Sequence, residues 1–162
     1  MHGTAREMEG GDELRFERTL PHPIETVWAA LTEPDHLAGW LAPGEIDPRP
    51  GGRVHLQFPG GGNVIDATVT EADPPRLLAF PWSGRDGEAG PVRWELSPAR
   101  DGGTRLVLTH TLPSGAADGR PAVLAAWHMH LDMLAGVLAG RPVPFSRDRF
   151  RDLRDHYAQI GG

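Results

Sequence analysis

One long helical segment in the last third of the chain constrains the fold more than any other feature of the sequence. Apolar spacing predicts a helix over residues 121–139, followed by Gly140 and Pro142 in the order that commonly ends a helix. The apolar residues share one helix face, in the set Leu124, Trp127, Leu131, Leu134 and Leu138. Such a stripe is stable only when another layer buries it, so the rest of the chain must supply a matching apolar surface.

The segments before this helix predict that the matching surface is a β-sheet. A first alternating strand lies near residues 14–17, and two short helices follow near residues 24–31 and 34–41. The apolar period then changes to two, which predicts further strands near residues 53–58, 63–72, 78–82, 92–96 and 106–110. Pro81 lacks a backbone N–H and is expected at a sheet edge or a bulge. Strands that follow one another without intervening helices pair antiparallel through hairpins.

The expected architecture is α+β. A curved antiparallel sheet of about six to seven strands wraps around the long C-terminal helix, with two short helices after strand 1 and an extra C-terminal helix. Residues 1–12 are predicted to form a flexible N-terminal arm, residues 13–140 the domain, and residues 141–162 an extension with a short helix. The extra helix docks on its own domain or on a second subunit through a stripe of Phe150, Leu153, Tyr157 and Ile160.

Composition excludes several classes of function. The net charge of −6 argues against a nucleic-acid partner. The sequence has no cysteine and no lysine, which excludes disulfides, thiol nucleophiles and Schiff-base catalysis. Residues 1–11 contain no apolar signal region, and His128, His130 and Asp132 in the long helix would be costly in lipid. We therefore expect a cytoplasmic protein with no membrane partner.

The candidate site is an internal cavity between the long helix and the concave face of the sheet. The predicted ligand-binding set is Trp40, Phe58, Phe80, Trp82, Trp94, Leu108, His110, His128 and Leu131. For Trp40, Trp82 and Trp94, ordinary core packing is an equally good interpretation. Trp127 is assigned to the core.

Three polar groups are candidates for acid–base chemistry, although a binding role is favoured over an enzymatic one. His128 and Asp132 lie four residues apart and so can point the same way from the helix, and His110 ends a strand. A histidine near its ordinary pKa of about 6.5 serves as acid or base. The alternative is a hydrogen-bonded polar pair at the margin of the apolar stripe. His130 is predicted to be solvated, and neither a metal site nor a cofactor is expected.

Several motifs resemble, in their order and spacing, the START-like (SRPBCC) superfamily. The first is the segment ERTLPHPIETVWAALT at residues 17–32, and the others are Pro34, Leu37 and Trp40 and the runs at residues 62–82, 104–110 and 126–138. Together they are similar to the branch named after the activator of the heat-shock protein 90 ATPase, over residues 13–140.

This resemblance implies a helix-grip fold, often with a hydrophobic ligand cavity under the long helix. It leaves three functions open. The chain binds a small hydrophobic or aromatic molecule, or it is a co-chaperone or interaction module whose partner is a chaperone or a second copy, or it is an enzyme similar to polyketide cyclases and hydrolases. Binding is the leading hypothesis, because aromatic residues lie on the predicted inner face of the sheet.

Overall fold

Each alternating segment of the sequence forms one strand or a pair of strands in the structure. The structure is a computed structural model that describes residues 3–8, 11–58, 62–84, 87–113 and 119–160. The strands are β1 (Thr4–Met8), β2 (Gly11–Leu20), β3 (Gly44–Ile46), β4 (Arg53–Gln57), β5 (Val64–Thr68), β6 (Glu71–Asp73), β7 (Leu77–Gly84), β8 (Gly87–Pro98) and β9 (Thr104–Pro113). The helices are α1 (Ile24–Thr32), α2 (Pro34–Trp40), α3 (Arg120–Leu138), α4 (Arg147–Ile160) and a 3-10 turn at Arg100–Gly102.

The strands of the described residues form one antiparallel sheet of nine strands. Its order is β1-β2-β9-β8-β7-β5-β4-β3, and β6 also pairs with β7. The α+β helix-grip prediction is confirmed, but the sheet has more strands than the predicted number of about six to seven. The additional strands β1, β3 and β6 have 5, 3 and 3 residues, and their sequences TAREM, GEI and EAD show no alternating apolar pattern.

The N-terminal segment forms a strand where the sequence predicts a flexible arm. Thr4–Met8 pair with residues 11–15 of β2, so the prediction is wrong for the described part of residues 1–12. Backbone hydrogen bonds to an open strand edge can form β1 without any apolar alternation in its own sequence. Residues 1, 2, 9 and 10 lie outside the described residues.

The predicted strand at residues 63–72 is divided into β5 and β6. Between them, the Val69 N–H donates to the Gly52 carbonyl and the Thr70 N–H donates to the Ala79 carbonyl. The chain therefore leaves its pairing with β4 at this point, and β6 continues along β7, with which β5 already pairs at Ile65. This change of partner depends on contacts distant in sequence, so the local pattern did not show it.

Pro81 lies inside the sheet and not at its edge. β7 pairs with β8 on one side and with β5 and β6 on the other. The register between β7 and β8 shifts between Pro81 and Ser83, so the bulge is the alternative that is correct. The residue displaced from the ladder is Trp82, and Pro81 lies at the margin of the bulge, where it faces another proline, Pro91.

Helix α3 occupies the position predicted for residues 121–139. Pro121 lies in its first turn, and Gly140 follows it with a φ of 72°, a conformation that glycine adopts without strain. Its stripe is buried at Leu124, Trp127, Leu131 and Leu134. Among the described residues α3 is also the one helix long and apolar enough to cross a bilayer, but its stripe packs into the same core as the sheet.

Helix α4 packs on α3 of the same chain. Tyr157 is 1% exposed, and Phe150 and Leu153 pack against the core. Of the two predicted docking modes, the structure therefore shows docking within one chain.

Candidate functional site

A pocket of about 490 Å³ lies under the N-terminal half of α3. The sheet contributes Trp82 from β7 and His110 from β9, and Phe58 follows β4. Phe145 and Phe150, just before and within α4, form the remaining aromatic wall. The pocket therefore lies where the sheet, α3 and the start of α4 meet, with walls that are mostly apolar and include five Phe and Trp side chains.

The pocket exists because the first turns of α3 carry small side chains. Ala122 and Ala126 stand one helical turn apart and both line it. Further along the same helix, Leu131 and Leu134 fill the equivalent space between helix and sheet. The cavity therefore opens only at the N-terminal half of α3.

Trp127 is both a core residue and the floor of the pocket. It is 4% exposed, and its ring lies edge-on to Trp82 and Trp94 with centroids 5.0 and 5.6 Å away. Trp94 in turn packs edge-on against Trp40 at 5.7 Å. Such edge-to-face pairs stabilise one another beyond their buried area, so Trp82 and Trp94 help to hold the Trp127 ring that forms the floor of the pocket.

His110 lines the pocket with both ring nitrogens occupied. The Trp127 indole N–H donates to Nδ1 at 2.9 Å, and Nε2 lies 2.7 Å from the Ala89 carbonyl. Because an indole nitrogen only donates and a carbonyl only accepts, the proton of His110 lies on Nε2. Burial lowers the pKa of His110, and the hydrogen bond to Ala89 opposes that shift only in part. His110 is thus a neutral side chain whose hydrogen bond holds the Trp127 indole in position.

His130 also lines the pocket, and the prediction that it is solvated is wrong. Its ring is partly buried between Phe58, Trp127 and Phe145, with centroids 6.0, 6.4 and 6.2 Å away. Nδ1 lies 2.9 Å from the Trp40 carbonyl. Burial lowers the pKa of His130, with the Trp40 hydrogen bond acting in the opposite direction. The missed signal is its spacing of three and four residues from Trp127 and Ala126, which places it on the same helix face.

His128 and Asp132 lie on another side of α3, under α4. Nδ1 of His128 is 2.8 Å from the Tyr157 hydroxyl, and Nε2 is 3.6 Å from Asp132. Asp132 also pairs with Arg149. These side chains join α3 to α4, and the alternative of a structural polar pair describes them better than a catalytic role.

The structure brings together three of the nine predicted ligand-binding residues. Phe58, Trp82 and His110 line the pocket. The other six do not line it: His128 contacts α4, and the remaining five are core residues, namely Trp40, Phe80, Trp94, Leu108 and Leu131. Those five fill the space between helix and sheet, and none of them lines this pocket.

Within the described parts of the chain, no group of three or more His, Asp or Glu side chains is placed to hold a metal ion. The chemistry that this pocket offers is therefore apolar contact with a few fixed polar atoms.

The fold and site define an antiparallel helix-grip domain with an apolar pocket beneath its long helix. Residues 21–139 match the family described as "Activator of Hsp90 ATPase homolog 1-like protein", and the chain belongs to that family. The resemblance to the START-like superfamily is thereby confirmed. None of the curated proteins compared with the chain matches it.

Solved structures show the same fold over nearly the whole chain. The protein encoded by gene BPP1335 from Bordetella parapertussis is 34% identical, with a TM-score of 0.72 and coverage of 98% of this chain and 89% of that one. CalU16 from Micromonospora echinospora is 25% identical, with a TM-score of 0.77 and coverage of 98% and 94%. DynU16, from the dynemicin biosynthetic locus, is 24% identical, with a TM-score of 0.70 and coverage of 82% and 49%. These matches support the fold.

Proposed function

We propose that this domain binds a small hydrophobic or aromatic molecule in the pocket under α3. The observation that carries the proposal is the pocket itself, about 490 Å³ in volume with Phe58, Trp82 and Trp127 in its walls. Ligand sites commonly have volumes of about 300–1,000 Å³, apolar walls and a few placed polar groups. A planar apolar ligand would replace water against these rings, at roughly 25 cal/mol for each Å² of apolar surface buried.

Binding without turnover fits the polar groups better than catalysis does. His110 cannot accept or release a proton at the pocket without breaking its bond to Trp127 or to Ala89. His128 and Asp132 are engaged with α4, away from the pocket. The enzyme hypothesis is based on His110, His128 and Asp132, and these contacts leave none of them available for acid–base chemistry in the pocket.

The experiment is a ligand screen with a variant that fills the pocket. The wild-type chain is screened by thermal shift against fatty acids, sterols and neutral polycyclic aromatic compounds. A ligand present at 100 times its Kd stabilises the folded state by about 2.7 kcal/mol. For a chain of this size that is a rise in Tm of roughly 5–10 °C.

Ala126→Phe should abolish this shift, because the new ring occupies the pocket. The matched control is Ala135→Phe, the same change at an exposed position of the same helix. Loss of binding in Ala126→Phe with retention in Ala135→Phe supports the proposal. Equal binding by both variants, or no stabilisation of the wild type by any compound, refutes it.

A chaperone partner, a homodimer partner and a cytoplasmic location remain predictions. The co-chaperone alternative is tested with the same two variants. If the chain stimulates a heat-shock protein 90 ATPase and Ala126→Phe stimulates it equally, the activity resides on the surface and not in the pocket.

A further inference from the structure

We infer that His130 determines the specificity of the pocket, and that its Nε2 accepts a hydrogen bond from a hydroxyl or N–H group on a neutral aromatic ligand. The inference rests on the proposed function and names the class of ligand. The inference gives a role in ligand binding to a residue that the sequence pattern predicts to be solvated.

The hydrogen bond to α2 sets which nitrogen of His130 faces the ligand as an acceptor. Nδ1 lies 2.9 Å from the Trp40 carbonyl, which can only accept, so the proton of the neutral ring lies on Nδ1. Nε2 then carries a lone pair. Within the described residues Nε2 has no hydrogen-bond partner, although it belongs to a side chain that lines the pocket.

The ring cannot easily turn to use its other edge. Phe58, Trp127 and Phe145 surround it at centroid distances of 6.0, 6.4 and 6.2 Å. Rotation would break the bond to Trp40 and would disturb these contacts. His130 is therefore a preorganised acceptor among aromatic rings, and a ligand donor that meets it loses little freedom in doing so.

The other polar side chains of the wall favour the same class of ligand. Both nitrogens of His110 are already paired. Asn63 also lines the pocket, but its Oδ1 is buried away from the open space, so it offers no acceptor to a ligand. None of the described residues that line the pocket is Arg, Asp or Glu. A ligand carboxylate would meet the lone pair of His130 Nε2 and no cation among the described residues, and burying it would be costly.

The experiment compares three probes that share one ring system, titrated by calorimetry at pH 7.5 into the full chain. 2-Naphthol carries a donor, 2-methoxynaphthalene has that donor blocked, and 2-naphthoate carries a charge. We expect 2-naphthol to bind roughly 3- to 10-fold more tightly than the ether, which is the contribution of one neutral hydrogen bond. The naphthoate should bind more weakly than the naphthol by at least about 10-fold.

Two variants and a control assign this preference to His130. His130→Asn keeps an N–H group near the position of Nδ1 and removes Nε2, while His130→Phe keeps a ring and removes both nitrogens. Each should bring the ratio of ether Kd to naphthol Kd down to about one. His130→Phe has no acceptor, and the amide oxygen of His130→Asn ends short of the position of Nε2. His36→Phe, at an exposed site on α2, should leave the ratio as in the wild type.

The inference is overturned if the wild type binds naphthol and ether equally, if His130→Asn keeps the wild-type ratio, or if the naphthoate binds best. Each of these outcomes leaves the pocket and the proposed function intact, because the probes still bind. If none of the probes binds, the proposed function fails and this inference fails with it. The comparison of naphthol with ether in the wild type needs no variant, so it tests the inference even if a variant folds poorly.

Discussion

Replacing Tyr157 by phenylalanine should loosen the attachment of both β1 and α4, because one hydroxyl serves both. The Gly3 N–H donates to this hydroxyl at 2.8 Å, and Nδ1 of His128 lies 2.8 Å from it. Tyr157 is 1% exposed and His128 is 5% exposed, so water does not readily replace the lost oxygen. The hydroxyl thus joins the start of β1, helix α3 and helix α4 at a single point.

The expected cost follows from the two groups that lose their partner. A buried polar group left without a hydrogen bond costs about 1–3 kcal/mol, so two such groups cost about 2–6 kcal/mol. Gly3 precedes the first strand and can regain water when that end of β1 frays, which favours the lower half of the range. We expect the free energy of unfolding to fall by roughly 2–4 kcal/mol and Tm to fall by roughly 4–16 °C.

Urea and thermal unfolding, followed by tryptophan fluorescence, measure this change. The matched control is Thr19→Val, which removes an exposed hydroxyl from β2 and should alter the free energy of unfolding by less than about 0.5 kcal/mol. If Tyr157→Phe is as stable as Thr19→Val, the hydroxyl does not hold the junction and the reasoning is refuted.

Three further predictions concern the buried histidines, a glycine and the core. Burial lowers the pKa of His110 and His130 below 6.5, so the unfolded chain binds protons first as the pH falls. The free energy of unfolding should therefore decrease below pH 6.5, by up to about 1.4 kcal/mol per pH unit for each histidine, until the folded state is protonated as well. Urea titrations between pH 5 and 8 should show a shallower decrease for His130→Asn, and an equal slope would contradict this. Gly44 has a φ of 150°, and a Cβ there would lie 2.0 Å from the His55 carbonyl oxygen. Gly44→Ala should then destabilise the chain by more than about 1 kcal/mol and expose the β3 amides to hydrogen exchange, and unchanged protection would count against it. Leu108 is fully buried, and Leu108→Ala should cost about 2–5 kcal/mol in urea unfolding, so a cost under about 1 kcal/mol would mean that the site collapses around the gap.

Elements with a strong local period were predictable, and those held by distant partners were not. The α3 stripe and the alternation of β4, β7, β8 and β9 depend on side chains that are neighbours in sequence, so the pattern shows them directly. β1 exists because β2 offers it an open edge, and the division between β5 and β6 follows a change of pairing partner. Neither cause leaves a trace in the local sequence.

The candidate site was predictable to a smaller extent. Alternation places Trp82, Trp94 and His110 toward the interior, but it does not tell which of them meet a void. That depends on Ala122 and Ala126, whose small side chains leave space above the floor of the pocket. Alanine is common in helices because of its high helix propensity, so the sequence gives no sign that these two residues border a pocket.

The sequence by itself determined the long helix, the antiparallel sheet that must bury it, and the family that this combination represents. The tertiary structure alone decided which face of α3 meets the pocket and which meets α4. The rotation of α3 about its own axis is set by the packing of Trp127 on the sheet and by the contact of His128 with Tyr157 of α4. That rotation turns His130 into the pocket and His128 toward α4, although the two residues are only two positions apart in the chain. Helical spacing relates residues to one another, and only contacts with other elements relate them to the pocket.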